Sequence, residues 1–197
     1  APNGLSCIQT LGKDGTLKLY DVRQGTLRLT LSRDKDPFTG VSYSPTGRRF
    51  ATGTGKGAVI LGEVETGRTR ELETQGDLTY RVAFHPSGKT LASCSRNRSI
   101  WIRDVESGGV IQKLGSHTSE VRALAFSPDG RWLASASGID ELFLWRCDVQ
   151  THQLVLHSRF QFPGRVTDLR FTSDSRHLLT GNFNGVAYLL RLFSRNR

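Results

Sequence analysis

The chain has 197 residues, long enough to bury a true core. Apolar residues make up 37% and charged residues 23%, and no run in these residues approaches the ~18 consecutive apolar residues of a membrane-spanning helix. Lys and Arg number 27 against 18 Asp and Glu, a formal charge of +9, which keeps nucleic acid among the partners to be weighed.

The chain has no methionine and opens Ala1-Pro2-Asn3-Gly4 without the charged and apolar segments of a signal peptide. It therefore reads as a processed chain or a piece of something longer. Three cysteines, Cys7, Cys94 and Cys147, stand far apart in an odd number with no C-x-x-C pair. They read as free thiols in a reducing compartment, which points to an intracellular, cytoplasmic setting.

A repeat organises everything else. Residues 2–32 hold Ile8-Gln-Thr-Leu-Gly12, Thr16-Leu-Lys-Leu-Tyr-Asp21 and Gly25-Thr-Leu-Arg-Leu-Thr30. Residues 38–74 open with Val41-Ser-Tyr-Ser-Pro-Thr-Gly47, then give Phe50-Ala-Thr-Gly-Thr54, Ala58-Val-Ile-Leu-Gly-Glu63 and Gly67-Arg-Thr-Arg-Glu-Leu72. Residues 80–115 keep that order with Val82-Ala-Phe-His-Pro-Ser-Gly88, Leu91-Ala-Ser-Cys-Ser95, Ser99-Ile-Trp-Ile-Arg-Asp104 and Gly109-Val-Ile-Gln-Lys-Leu114. Residues 121–160 follow with Leu124-Ala-Phe-Ser-Pro-Asp-Gly130, Leu133-Ala-Ser-Ala-Ser137, Glu141-Leu-Phe-Leu-Trp-Arg146 and His152-Gln-Leu-Val-Leu156. Residues 166–192 supply Leu169-Arg-Phe-Thr-Ser-Asp-Ser175, Leu178-Leu-Thr-Gly-Asn182 and Val186-Ala-Tyr-Leu-Leu-Arg191. The aromatic anchors Tyr43, Phe84, Phe126 and Phe171 recur 41, 42 and 45 residues apart.

Each segment is short, β-branched or aromatic, and bounded by Gly, Pro, Asn or Asp, which is the signature of a strand. Several are apolar on both alternating faces, as in Val121-Arg-Ala-Leu-Ala-Phe126, so their sheets lie inside a stack. Each unit is a four-stranded meander that cannot cover its own faces and must pack against its neighbours. The expected fold is all-β.

These columns resemble the WD-repeat family of β-propellers. The resemblance implies a ring of four-stranded antiparallel blades, about seven in the commonest form, around a central channel. The first unit lacks its first strand and the fifth its fourth, leaving about four and a half blades and implying part of a larger propeller. The family's structural tetrad joins a histidine, a Ser or Thr, an Asp and a Trp. The fourth unit comes nearest with His117, Ser135 and Trp145, its acid Asp140 one place late where Ile139 takes the usual position. The first unit has Thr10 and Asp14 with Tyr20 in place of tryptophan. The second has Thr52, Lys56 and Gly62, so packing more than buried polar networks should hold these blades together.

Gly53-Thr-Gly-Lys-Gly57 imitates a phosphate loop, but Phe50 replaces the first glycine, Gly57 replaces the magnesium-binding hydroxyl, and a strand follows; it reads as a hairpin turn. No histidine pairs with a nucleophile and an acid in a catalytic pattern, so no catalysis, cofactor or metal is expected. The cationic surplus falls on strands and tail while both loop rims are close to neutral. Charge on outermost strands such as Arg28, Arg68, Arg70, Lys113 and Arg159 discourages edge-to-edge pairing.

The expected function is a non-catalytic scaffold holding other proteins, with no membrane contact. Its binding residues would be Arg33, Tyr80, Arg96, Arg98, Glu120 and Arg165 on the rim shared by the fourth-to-first-strand loops and the second-to-third-strand turns. An aromatic among arginines has the composition of interface anchors. The alternatives are a nucleic-acid-associated propeller, or a substrate receptor of a cullin-type ubiquitin ligase, for which Asp14, Tyr20-Asp21 and Arg23 resemble the receptor box.

Overall fold

Turns built on glycine and proline cut the chain into short extended runs. The computed structural model describes residues 1–11, 14–115, 117–148 and 150–192, and among these it contains strands and turns but no helix. The 18 strands form five antiparallel sheets, each ordered as the chain runs. The first sheet has β1 (Ser6–Leu11), β2 (Thr16–Asp21) and β3 (Thr26–Ser32). The second has β4 (Phe38–Tyr43), β5 (Arg49–Thr54), β6 (Val59–Glu63) and β7 (Thr69–Leu72), and the third β8 (Thr79–Phe84), β9 (Thr90–Ser95), β10 (Ile100–Asp104) and β11 (Val110–Leu114). The fourth has β12 (Val121–Phe126), β13 (Trp132–Ser137), β14 (Glu141–Cys147) and β15 (Leu154–Gln161), and the fifth β16 (Val166–Phe171), β17 (His177–Asn182) and β18 (Ala187–Arg191). Three strands in each outer sheet and four in each inner one match the strand inventory read from the sequence.

Consecutive sheets pack side by side through their first strands, so β4, β8, β12 and β16 stand next to one another. This produces four cores, one per junction, rather than one. Alternation along β14 shows how a single strand serves two of them. Leu142 and Leu144 face the fifth sheet, whereas Phe143 and Trp145 face the third. All four are nearly inaccessible to solvent, which is why the strand reads as apolar on both faces. Removing a sheet would strip one wall from each of two cores, so each blade depends on its neighbours. The far face of the fifth sheet carries the exposed side chains Arg170, Leu179 and Leu189.

Backbone hydrogen bonds fasten the two rims. On one, Gly55, Arg96, Gly138 and Phe183 in the second-to-third-strand turns donate to the carbonyls of Pro37, Leu78, Glu120 and Arg165 in the preceding loops, at 2.7–2.9 Å. On the opposite rim, Val64, Val105, Cys147 and Leu192 donate to Arg48, Lys89, Arg131 and Arg176, at 2.8–3.0 Å. The Gly53–Gly57 segment closes the β5–β6 hairpin, with Gly57 at φ 90° and the Asp77 backbone where a Cβ would stand. Only glycine fits that combination of positive φ and close approach.

Candidate functional site

One position on the third strand of each sheet lies directly across from an apolar residue of the second: Trp145 faces Leu133, Arg103 faces Leu91, Gly62 faces Phe50 and Leu190 faces Leu178. In the fourth sheet this slot completes a polar chain. Trp145 Nε1 donates to Ser135 Oγ at 2.8 Å, and the same hydroxyl meets His117 Nε2 at 2.7 Å. Indole can only donate, so Ser135 Oγ accepts from it; a carboxylate at His117 Nδ1 holds the imidazole proton there, which leaves Nε2 to accept the Ser135 O–H. That carboxylate belongs to Glu141, 3.3 Å away, which also accepts from Thr118 N and Oγ1 at 3.0 and 2.7 Å.

Asp140, the acid expected from the sequence, is exposed in the turn; Glu141 opens β14, where its longer side chain reaches back to the loop. Burial pushes the His117 imidazole below its ordinary pKa of 6.5, and the neighbouring Glu141 offsets this only in part. Burial works the other way on Glu141, but hydrogen bonds from Thr118 and His117 hold its carboxyl below the usual range. His117 also stacks on Phe143, ring centroids 4.0 Å apart.

The third sheet builds an equivalent network from different residues. Arg103 is fully buried, its Nη1 donating to Ser93 Oγ at 2.6 Å and its Nη2 to Glu73 O at 2.7 Å. Gln75 precedes Ser93 by 18 residues, as His117 precedes Ser135, and its side chain bonds Ser93 O at 3.5 Å. Burial drops the Arg103 pKa to about 10, so the guanidinium stays charged at neutral pH. The third blade thus adds a buried polar network to its apolar packing, with arginine in the tryptophan slot and glutamine in the histidine slot. In the second sheet the Phe50 ring fills the space over Gly62, so packing does replace the network there. In the first sheet Asp14 is exposed and Tyr20 half-buried opposite Cys7, while the Thr10 side chain lies outside the described residues.

The rim residues divide into four groups. Arg122 lies over the Tyr80 ring at 4.6 Å from its centroid and pairs with Glu120 at 2.9 Å. Arg96, 61% exposed, is bonded to Asp77 at 3.1 Å, and Asp77, with smaller contributions from Tyr80 and Glu120, holds its pKa above the usual arginine value. Tyr80, Arg96 and Glu120 thus form one electrostatic cluster at the junction of the third and fourth sheets. Arg33 does not join it: its guanidinium is bonded to Asp36 at 3.0 Å and to Glu71, on outermost strand β7, at 2.9 Å. Arg165 lies instead over Phe183, 5.4 Å from the ring centroid, and Phe183 is 75% exposed. Arg98 is exposed in its turn at φ 71°.

Sequence reasoning missed Arg122 as a member of the cluster, and Asp77 and Phe183 as partners of the rim arginines. An aromatic between two asparagines in a second-to-third-strand turn was the available signal for Phe183. The outer-strand cations are also engaged: Lys113 Nζ sits 3.8 Å from the Trp101 ring centroid, Arg159 covers Phe143 at 5.2 Å, and Arg70 bonds the carbonyls of Val105 and Glu106.

Stacked antiparallel meanders with a Trp–Ser–His–acid chain in one blade define a β-propeller architecture. The family model of the WD domain, G-beta repeat, matches residues 69–104 and 108–140, each match beginning on or just before an outermost strand and running into the next sheet. The chain is 35% identical over 146 residues to WD repeat-containing protein SL1-17 of Schistosoma mansoni, covering 74% of this chain and 48% of that protein. It is 29% identical over 150 residues to Periodic tryptophan protein 2 homolog of Dictyostelium discoideum, covering 74% and 16%. It is 29% identical over 143 residues to Guanine nucleotide-binding protein subunit beta of Arabidopsis thaliana, covering 67% and 38%. The aligned regions span about half of these relatives' own length, or less. The chain is a WD-repeat protein.

Proposed function

We propose that this chain is a non-catalytic scaffold that holds other proteins at the rim carrying Tyr80, Arg96, Glu120 and Arg122. The observation that carries the reading is the cluster itself: an aromatic ring capped by one guanidinium, with a second guanidinium and a carboxylate beside it, on a rim fastened by backbone hydrogen bonds. Arginine and tyrosine are the residue types that dominate binding energy at protein interfaces, and a pre-organised rim loses little entropy when a partner docks. The kinship with a guanine nucleotide-binding protein subunit beta supports the same class of function.

Nucleic-acid binding is the second reading, favoured by the formal charge of +9 and by relatives such as U3 small nucleolar RNA-associated protein 21 of Saccharomyces cerevisiae. The contacts made by Lys113, Arg159 and Arg70 weigh against it, because those cations are occupied within the fold.

Quantitative affinity proteomics tests the proposal with Arg96→Glu/Arg98→Glu and, as an opposite-rim control, Arg48→Glu/Lys89→Glu. The first variant should lose partners that the second retains, with both still folded and the first lowered by no more than about 4 °C in melting temperature for its lost exposed pair with Asp77. Equal retention by both variants would refute this rim. A salt-titrated RNA oligonucleotide assay addresses the rival: tight binding that weakens steeply with salt favours nucleic acid.

A further inference from the structure

On the rim opposite the Tyr80 cluster, three metal-ligating side chains meet between two blades. His85 lies in the turn from β8 to β9, Cys147 ends β14 and His152 stands in the turn before β15. One ligand atom from each lies within 4.8 Å of the others, and His85 and Cys147 are buried. The imidazoles meet edge-on with centroids 4.9 Å apart. Two features of His152 need an explanation. Its Nδ1 is buried with no hydrogen-bond partner, and its backbone sits at φ 56°, a left-handed conformation that costs a histidine energy.

We propose that His85, Cys147 and His152 form a site for a zinc-class ion that staples the third and fourth blades together. A thiolate with two imidazoles is a donor set for a borderline-soft divalent metal, and the orphaned Nδ1 of His152 is the lone pair such an ion takes up. A tetrahedral zinc draws its ligand atoms to roughly 3.3–3.7 Å from one another, so the cluster has to contract by about 1 Å, within reach of the His152 turn.

Binding exchanges definite bonds. Cys147 gives its thiol proton to solvent and binds as thiolate. In the metal-free fold Ser87 N–H donates to His85 Nδ1 at 3.1 Å, which leaves the proton on Nε2 facing Gly130 O at 2.9 Å. With metal bound at Nε2, that nitrogen releases Gly130 and the ring's proton moves to Nδ1; Ser87 N–H gives up its bond to Nδ1, and Nδ1–H donates to the Ser87 hydroxyl, 2.8 Å away. Three protein ligands leave a fourth position. Cys147 lines an open groove with Asp148, Thr151, Gln153 and Trp132, so ion and solvent can reach it.

Purified chain is titrated with Co(II) and with Zn(II). Cobalt should give a near-ultraviolet thiolate charge-transfer band that Cys7→Ser keeps and Cys147→Ser loses. Zinc at ~100 times its Kd should raise the melting temperature by about 5–10 °C. His152→Gly separates site from structure even if the cysteine variant fails to fold. Glycine relieves the positive φ, so this variant should melt at or above wild type without metal, yet show no rise with zinc. Absence of the cobalt band in wild type, persistence of the band in Cys147→Ser, or a zinc-dependent rise that survives in His152→Gly would each overturn the proposal.

Discussion

The pairing of Phe50 with Gly62 provides a sharp test of how these blades stay packed. Three other sheets place leucine opposite a residue with a large side chain, Leu133 with Trp145, Leu91 with Arg103 and Leu178 with Leu190; the second sheet places a buried phenylalanine opposite glycine. A methyl group added at Gly62 would meet three Phe50 ring atoms inside 3.0 Å, and Phe50 is fully buried with no room to swing. Overpacking of this kind costs about 1–3 kcal/mol, whereas stiffening the unfolded chain with alanine returns about 0.4–1 kcal/mol. Gly62→Ala should therefore destabilise by about 1–2 kcal/mol and lower the melting temperature by about 2–8 °C for a chain of this size. Phe50→Leu alone leaves a cavity and also destabilises. The double variant should recover at least about 1 kcal/mol of the summed losses, because leucine makes room for the methyl group. Denaturant unfolding of all four proteins measures the coupling. Strict additivity, or a Gly62→Ala variant as stable as wild type, would show that Phe50 is not what fills the tryptophan slot.

Two further perturbations address the polar networks. Burial keeps the His117 pKa below 6.5 in the fold, so the unfolded chain takes up a proton first as pH falls, and stability drops from about pH 6.5 downward until the folded imidazole also titrates. His117→Gln, which installs the residue type the third blade uses, should flatten that slope in pH-dependent melts. Part of the slope remains, because burial lowers the His85 pKa as well. Arg103→Ala should cost about 3–5 kcal/mol in urea unfolding by emptying a large buried volume and stranding Ser93 Oγ and Glu73 O. Arg103→Trp should cost less, since indole can donate to Ser93 as Trp145 does to Ser135; equal losses would dismiss the equivalence of the two slots.

Strand positions, sheet order and the repeat were legible because they rest on local chemistry. Pro-x-Gly turns such as Ser127-Pro-Asp-Gly130, period-two alternation and apolar residues on both faces of Leu142–Trp145 demand stacked sheets wherever the chain leads. His117, Ser135 and Trp145 could be chosen because the fourth unit resembles the WD-repeat family's tetrad, each residue occupying its place in a short register.

Spacing could not choose between Asp140 and Glu141. That depends on where β14 begins: a turn residue points to solvent, and the next residue, already in the strand, reaches back to the loop. Nor could it show that Arg103 and Gln75 rebuild the network with other atoms, or that Arg33 turns to Glu71 while Arg122 caps Tyr80. His85 and His152 are 67 residues apart, and only the stacking of one blade on the next brings their rings together. Strands are specified by neighbours along the chain. The side-chain partners at the two rims are specified by neighbours across the gap between blades, and that gap takes shape only when the sheets pack.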